Sequence, residues 1–431
     1  MRSSHELSRT AITFDDDHAV ANAGLVLTAT LAERLGMEAL VDEMVDLGDR
    51  PGAARPGRKV MTLLQSMVAG GDCIDDADVL RSGATQAVLP HRVMAPSTIG
   101  TFLRSFTFGH VRQLDKVAEA LLHRAWAAGT GPGQEPMTID LDSTICEVHG
   151  YAKGGAAYGY TRVLGYHPLL ATRASTGEVL HARQRTGSTN TARGAVQFLS
   201  ELVGRVRRAG AVGSLTLRAD SGFWSKDFIR RCKALGVAFS ITLRQIPQVK
   251  AVIAAIPEEN WSPIDYTDAG VAQIGETNYK GDRLIVRRTR LTGPQAELWP
   301  DWRYHAFITD RTGTATWLDA DHRGHAVIEL AIRDLKEGAG MTRCPSGRFF
   351  ANAAWLVLAC LAHNFLRWTA SLGLGICGPV VAKTIRRRFI SLPGRLTRSA
   401  RRYRLHLPSR WPWQEAFLAA VRRLQALPLL A

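Results

Sequence analysis

A chain of 431 residues with 46% hydrophobic content has material for at least one large core and for two to four domains, which excludes a disordered or fibrous class. Its 54 Lys and Arg against 39 Asp and Glu give a net charge of +15, which favours a polyanionic partner. The run WLVLACLAHNFLRW (355–368) is too short and too polar for a membrane span, and MRSSHELSRTAITFDDD lacks a secretory core, so the expected location is cytoplasmic with no membrane partner.

Residues 20–125 carry helical periodicity in NAGLVLTATLAERLG, RKVMTLLQSMVAG and IGTFLRSFTFGHVRQLDKVAEALLHRAW. Pro96 and Ser97 open a short helix that turns Thr98, Thr101 and Arg104 outward. That is the pattern of the second helix of a DNA-reading helix-turn-helix, and equally of ordinary helical packing. The turn-rich GTGPGQEP (129–136) marks a boundary.

Beyond it the period changes. TIDLDSTICEV reads as a strand, GYTRVLGYHPLLATRAS as a second, and EVLHARQRT, after the Thr176-Gly177 turn, as a third. A helix follows over 190–210, then the strand SLTLRAD, the helix SKDFIRRCKALG and the strand VAFSITLR. Three strands followed by α, β, α, β is the order of a ribonuclease-H-like α/β fold. A short helix at 247–256 and strands at WSPIDY, VAQIGETNYK, DRLIVRRTRL and RYHAFITD suggest a β-rich insertion ending near 315. Helices then return at DADHRGHAVIELAIRDLKEG (319–338) and NAAWLVLACLAHNFLRWTASLG. Six cysteines without CxxC spacing read as reduced thiols with no zinc site.

The last segment, 376–431, holds twelve Lys or Arg and one acid, Glu415, so it supplies +11 of the excess charge. Leu392, Leu396, Tyr403, Leu405, Trp411, Trp413 and Phe417 interleave with those arginines, which favours a folded phosphate-facing segment over a disordered tail.

Strand alternation places Thr138, Asp140, Asp142 and Thr144 on one face of the first strand. A solvated acidic face is the plain alternative to a site. Asp220 ends the fourth strand, where an α/β sheet opens a crevice. In the 319–338 helix, His322, His325, Glu329, Arg333 and Lys336 fall at steps of three or four and form a polar stripe. The ribonuclease-H-like order brings Asp142, Asp220 and Glu329 together. Three carboxylates in one place raise one another's pKa, and divalent cations resolve the conflict. Two Mg²⁺ ions about 3.5–4 Å apart can stabilise both the attacking and the leaving oxygens of phosphoryl transfer.

The first-strand DST, EVHG, AYGYTRVLGYHPLLATRASTGEVLHAR, RADSGF, the HRGHAVIELAIRDLKEG helix and GRLTRSARRYRLHLPSRWPW together resemble the DDE transposases of bacterial insertion sequences, in the branch named insertion-sequence thirteen-eighty. The resemblance runs from about residue 10 to the end. It implies a helical end-binding domain (1–130), a ribonuclease-H-like core in two parts (131–244 and 316–375) split by the β-rich insertion (245–315), and a basic DNA-contacting segment (376–431). It also implies Mg²⁺, with Mn²⁺ as a substitute, and double-stranded DNA partners: terminal inverted repeats and target DNA. Action as a homodimer on nucleoid DNA follows as well.

Carried over by motif, the catalytic and metal-holding acids are Asp142, Asp220 and Glu329. Asp140 competes for the first position, and the small hydroxyl residue after Asp142 favours the latter. A family signature of Tyr, Arg, Glu and Lys falls here on His322, His325, Glu329 and Lys336. The first two depart from it, leaving phosphate contact to His325, Lys336 and the nearby Arg323 or Arg333. Trp299 and Trp302 lie where relatives keep an aromatic that stacks on a base, although packing tryptophans have the same look. Arg398, Arg401 and Arg402 head the DNA-contacting set in the tail. A repressor without catalysis and a metal-dependent nuclease without strand transfer are the rival readings.

Overall fold

The computed structural model describes residues 10–430 apart from 151, 160, 267–269 and 292–300. The chain opens with β1 (Ala19–Val20) and the helices α1 (Leu25–Arg34), α2 (Met37–Met44), α3 (Pro56–Ala69), α4 (Pro96–Arg104) and α5 (Phe108–Ala125). Proline occupies the first turn of α3 and of α4, where its missing N–H costs no hydrogen bond. The apolar run 99–126 is two helices because Thr107 caps α5, and the His110 ring accepts the Thr107 N–H in return. Ile99, Phe102 and Leu103 of α4 are buried while Ser97 and Arg104 face solvent.

The middle of the chain builds one sheet. Its strands are β2 (Met137–Ser143), β6 (Leu169–Arg173), β7 (Val179–Arg183), β8 (Leu215–Ala219), β9 (Val237–Thr242), β10 (Ser262–Ile264), β11 (Gly270–Tyr279), β12 (Asp282–Leu291) and β13 (Arg303–Thr309). Three short strands, β3 (Cys146–Glu147), β4 (Ala157–Tyr158) and β5 (Leu164–Tyr166), form a separate small sheet in the order β3-β5-β4. The large sheet is nine-stranded and mixed, in the order β10-β11-β12-β13-β9-β8-β2-β6-β7. Strands β2, β8 and β9 are mutually parallel, β6 runs antiparallel to β2, and β7, antiparallel to β6, returns to the direction of β2. Helix α6 (Ala195–Ala209) makes the crossover from β7 to β8, and α7 (Lys226–Ala234) the one from β8 to β9. After α8 (Pro247–Ala254), the β-rich stretch continues this same sheet, β13 pairing antiparallel with β9.

Two long strands read from the sequence are each broken. The first ends at Ser143 and resumes as β3; the second divides into β5 and β6. Pro168, which cannot donate to a ladder, separates β5 from β6.

The last third returns to helix: α9 (Ala315–Arg323), α10 (Val327–Gly338), α11 (Phe349–Trp368) and α12 (Ala382–Ile385), then the hairpin β14 (Gly394–Ser399) and β15 (Arg402–His406), and finally α13 (Gln414–Ala426). The sheet β1-β14-β15 and the packing of α13 on α1 join the two ends of the chain. One run, Phe349–Leu374, has the length and apolarity of a membrane span, yet 89% of its most apolar window is buried inside the protein against α3, α5 and β7.

Helix α11 also closes the open edge of β7. The Asn364 amide accepts the Val179 N–H and donates to the Val179 carbonyl, both at 2.8 Å, as a neighbouring strand would. Asn364→Leu therefore strands two buried backbone groups, and an equilibrium urea titration is expected to give a loss of about 1–3 kcal/mol.

Candidate active site

Strand β2 is flanked by β6 and β8, and its register decides what each carboxylate meets. Asp140 lies opposite Arg218 of β8. Asp140 is fully buried, and the Arg218 guanidinium grips both its oxygens, Nε to Oδ1 at 2.7 Å and Nη2 to Oδ2 at 2.9 Å. His325 Nδ1 stands 3.1 Å from Oδ1. The positive partner of the acidic face is thus a strand neighbour two residues before Asp220. With its oxygens taken up, Asp140 serves as an anchor between sheet and helix.

Asp142, one pair further along, has no arginine opposite; its β6 partner is Leu170. Its Oδ1 accepts the Ser143 N–H at 2.6 Å. Burial pushes the Asp142 carboxyl up most, the charges of Asp220 and Glu329 push it further, and the Ser143 amide and His325 pull it back. The outcome is a pKa of about 6 against an ordinary 3.8. Two elements distant in sequence, the turn after β8 and the first turn of α10, therefore press negative charge onto one half-buried carboxylate at the end of β2.

Asp220 caps that turn, its Oδ1 accepting the Gly222 N–H at 2.9 Å. Glu329 is exposed. Lys336, two turns on, donates to the Ile145 carbonyl at 3.0 Å and so ties α10 to the chain just past β2. Arg333 faces solvent; Arg323, also exposed, donates to Asp319 Oδ2 at 3.1 Å.

The polar stripe expected over 319–338 is interrupted. A short 3₁₀ turn at Gly324–Ala326 separates α9 from α10, and Arg218 Nη1 lies 2.5 Å from where a Gly324 Cβ would stand. His322 consequently turns into the core. Its ring bonds Ser240 Oγ and Thr242 Oγ1 at 2.8 and 3.0 Å and stacks on Phe307. Burial holds it well below the usual histidine range, so it stays neutral. Trp302 is half-buried, with the Arg288 and Arg290 guanidinium groups 4.5 and 4.8 Å from its ring centre. Trp299 lies outside the described residues. Arg398, Arg401 and Arg402 are exposed on the β14–β15 hairpin, far along the chain from the acids.

Sequence reading missed a second layer around Asp142. His167 Nδ1 meets the Thr189 carbonyl at 2.7 Å, and a carbonyl only accepts, so this nitrogen carries the proton. Nε2 then accepts from the Ser143 hydroxyl at 2.9 Å, which fixes the residue whose amide holds Asp142. Burial keeps His167 below its ordinary pKa and supports this neutral form. A histidine before a proline gave no signal of it. Arg218 was legible in principle, since it shares a strand face with Asp220. A cleft of about 330 Å³ also opens beside Ser221 and Gly222, lined by Asn190, Trp224, Arg244 and Tyr279.

Two tighter groups of metal-capable side chains exist among the described residues. Asp72, Cys73 and Asp76 form a turn in which Asp76 Oδ2 accepts the N–H groups of residues 72 and 73, and Arg343 pairs with Asp72. Asp115, His181 and Glu201 are already matched by Arg205, Arg112 and Arg183. The donor atoms of Asp142, Asp220 and Glu329 do not converge as closely as the 4.8 Å that defines those groups. The charges of Asp220 and Glu329 nevertheless act together on the Asp142 carboxyl.

A raised carboxyl has a thermodynamic sign. The stability Asp142 contributes is fully present below its ordinary value of 3.8 and is lost as pH rises through about 6. Asp142→Asn removes the buried charge. In metal-free buffer at pH 7–8 it is expected to be more stable than the parent by up to about 3 kcal/mol, a gain that vanishes by pH 4. Thermal melts across that range measure it.

A mixed sheet that brings acids from one strand end and a helix to bear on the carboxylate of another strand end defines an α/β protein with an oxygen-rich site. The chain matches the family model described as transposase DDE domain group 1 over residues 3–429, and it belongs to that family of transposases. No curated protein matches it. Among solved structures it is similar to the piggyBac transposase in its synaptic complex with hairpin DNA, determined by cryo-EM, at 12% identity and a TM-score of 0.44. That match covers 95% of this chain and 83% of that one.

Proposed function

We propose that this protein is a metal-dependent DNA transposase of the insertion-sequence thirteen-eighty branch that cuts its element's ends and joins them to target DNA. The observation that carries the reading is the lift of Asp142 to about 6 by burial and by the charges of Asp220 and Glu329, in a chain of the DDE family. The strand order β7-β6-β2-β8-β9, with β6 alone reversed, supports a ribonuclease-H-like core carrying those acids.

The donor set fits hard cations. Carboxylate oxygens from three elements, short of positive charge, suit Mg²⁺ or Mn²⁺, and Asp142, Asp220 and Glu329 are the residues that would hold them. Bound there, two such ions supply an activated oxygen nucleophile and stabilisation of the leaving oxygen. Asp140 and Arg218 hold the strand and turn in register, and Ser143 and His167 orient the Asp142 carboxylate. Lys336 braces α10 against β2 so that Glu329 faces the strand ends, while Arg333 and the free nitrogen of His325 are available to DNA phosphates. In this reading the ends of the chain, residues 1–130 and 376–431, grip terminal inverted repeats, and two copies pair on the DNA.

A strand-transfer assay tests it. A linear duplex carrying the flanking inverted repeats, incubated with a plasmid, the protein and Mg²⁺, is expected to yield joined products that depend on the cation. Cutting without joining would make the protein a nuclease. Binding without cutting would leave a repressor.

A further inference from the structure

We infer that the β14–β15 hairpin is a two-stranded ribbon that enters the major groove of duplex DNA and reads bases through Arg402 and Arg404. The inference rests on the DNA-end-binding reading above and gives one part of it a mechanism.

The register sorts the ribbon into two faces. The opposed pairs Arg395 with His406, Thr397 with Arg404 and Ser399 with Arg402 lie on one face; Leu396 with Leu405 and Arg398 with Tyr403 lie on the other. The second face is anchored. Leu396 is buried with Val20, Ala23 and Leu392, and Leu405 and Trp411 pack against them. The first face holds only hydrogen-bonding side chains, and no acid occurs between 394 and 406.

The ribbon is held at its base, where the Leu396 N–H also donates to the His18 carbonyl at 2.9 Å. Its neighbour β1 reaches only Gly394 and Arg395, and Arg395 is tethered to Asp16 at 3.6 Å. Beyond that point Arg398, Arg401, Arg402, Tyr403 and Arg404 are all exposed, Tyr403 to 62%.

The turn itself points the same way. Ala400 and Arg401 form a two-residue connection with φ of +47° and +67°, a conformation that favours Asn-Gly and strains residues bearing a Cβ. The strained apex places an arginine at the tip. Two strands about 4.8 Å apart fit a major groove about 12 Å wide, and the planar fork of arginine pairs with both guanine acceptors there more specifically than a lysine ammonium. A ribbon that merely rode on phosphates would work as well with lysine.

That contrast gives the test. Wild-type protein, R402K/R404K and R402A/R404A are titrated with a duplex of the inverted repeat flanking the coding sequence and with a scrambled duplex, over several salt concentrations. Guanine N7 methylation interference is recorded in parallel. The lysine pair is expected to keep the wild-type salt dependence on both duplexes. On the repeat it is expected to bind about 10-fold or more weaker and to lose specific N7 interference. The alanine pair is expected to lose the N7 interference as well and to bind the repeat more weakly than the lysine pair. Wild-type affinity and an unchanged N7 pattern in the lysine pair would overturn base reading by the ribbon while leaving DNA binding intact. Equal binding of wild-type protein to repeat and scrambled duplexes would defeat the end-binding reading, and the ribbon's role with it.

Discussion

Asp142→Asn, Asp220→Asn and Glu329→Gln are each expected to lower Mg²⁺-dependent strand cleavage by at least about 10²–10³-fold while leaving affinity for end DNA within a few-fold of the parent. Each change keeps the shape of the side chain and removes one charge. The grounds are electrostatic. Asp142 feels both other acids, so on the proposed reading deleting any of the three charges would remove a ligand from the same oxygen-lined site. On the proposed reading DNA binding draws on exposed arginines of the hairpin and tail, which these changes do not touch. Gel-based cleavage and anisotropy titrations separate the two effects. Full cleavage by any one variant would remove that residue from the site.

Asp140 should behave in the opposite manner. It is wholly buried against Arg218, so Asp140→Leu leaves a guanidinium without its counter-ion in the interior. A loss of about 3–5 kcal/mol in chemical denaturation is expected, and Arg218→Met should cost a similar amount. The double variant Asp140→Leu/Arg218→Met leaves neither charge uncompensated and should recover much of that loss. Asp142→Asn, by contrast, should gain stability at neutral pH. Two carboxylates two residues apart on one strand face would then give stability changes of opposite sign, one an anchor and one a ligand. Comparable losses of stability for both would contradict the assignment.

The difference between these two aspartates shows where the sequence was legible and where it stopped. Alternation alone put Asp140 and Asp142 on one face and required something positive opposite them. It could not say which of the two would meet Arg218, because that depends on the parallel register of β2 with β8, set by packing across the whole sheet. The order of strands and helices along 137–242 was readable from periodicity, since long amphipathic helices and hydrophobic strands declare their period.

The breaks were harder to read. Gly324 looked like one residue in a continuous helix, yet the space a Cβ would need is taken by Arg218, and the local kink turns His322 from the polar stripe into the core. His167 and Ser143 had no local pattern, because their link closes across 24 residues by tertiary contact. The basic tail, in contrast, announced its fold by the apolar residues between its arginines, and Leu396, Leu392 and Phe417 are buried.

The account stands on divalent cations held jointly by the side chains at 142, 220 and 329. Crystals of the protein bound to a cleaved end duplex, grown with Mn²⁺ and measured for anomalous scattering, test that most directly. The expected result is metal peaks coordinated by oxygens of Asp142, Asp220 and Glu329 and absent from the Asp142→Asn crystal. Peaks held by other residues in a complex that still cleaves would contradict it.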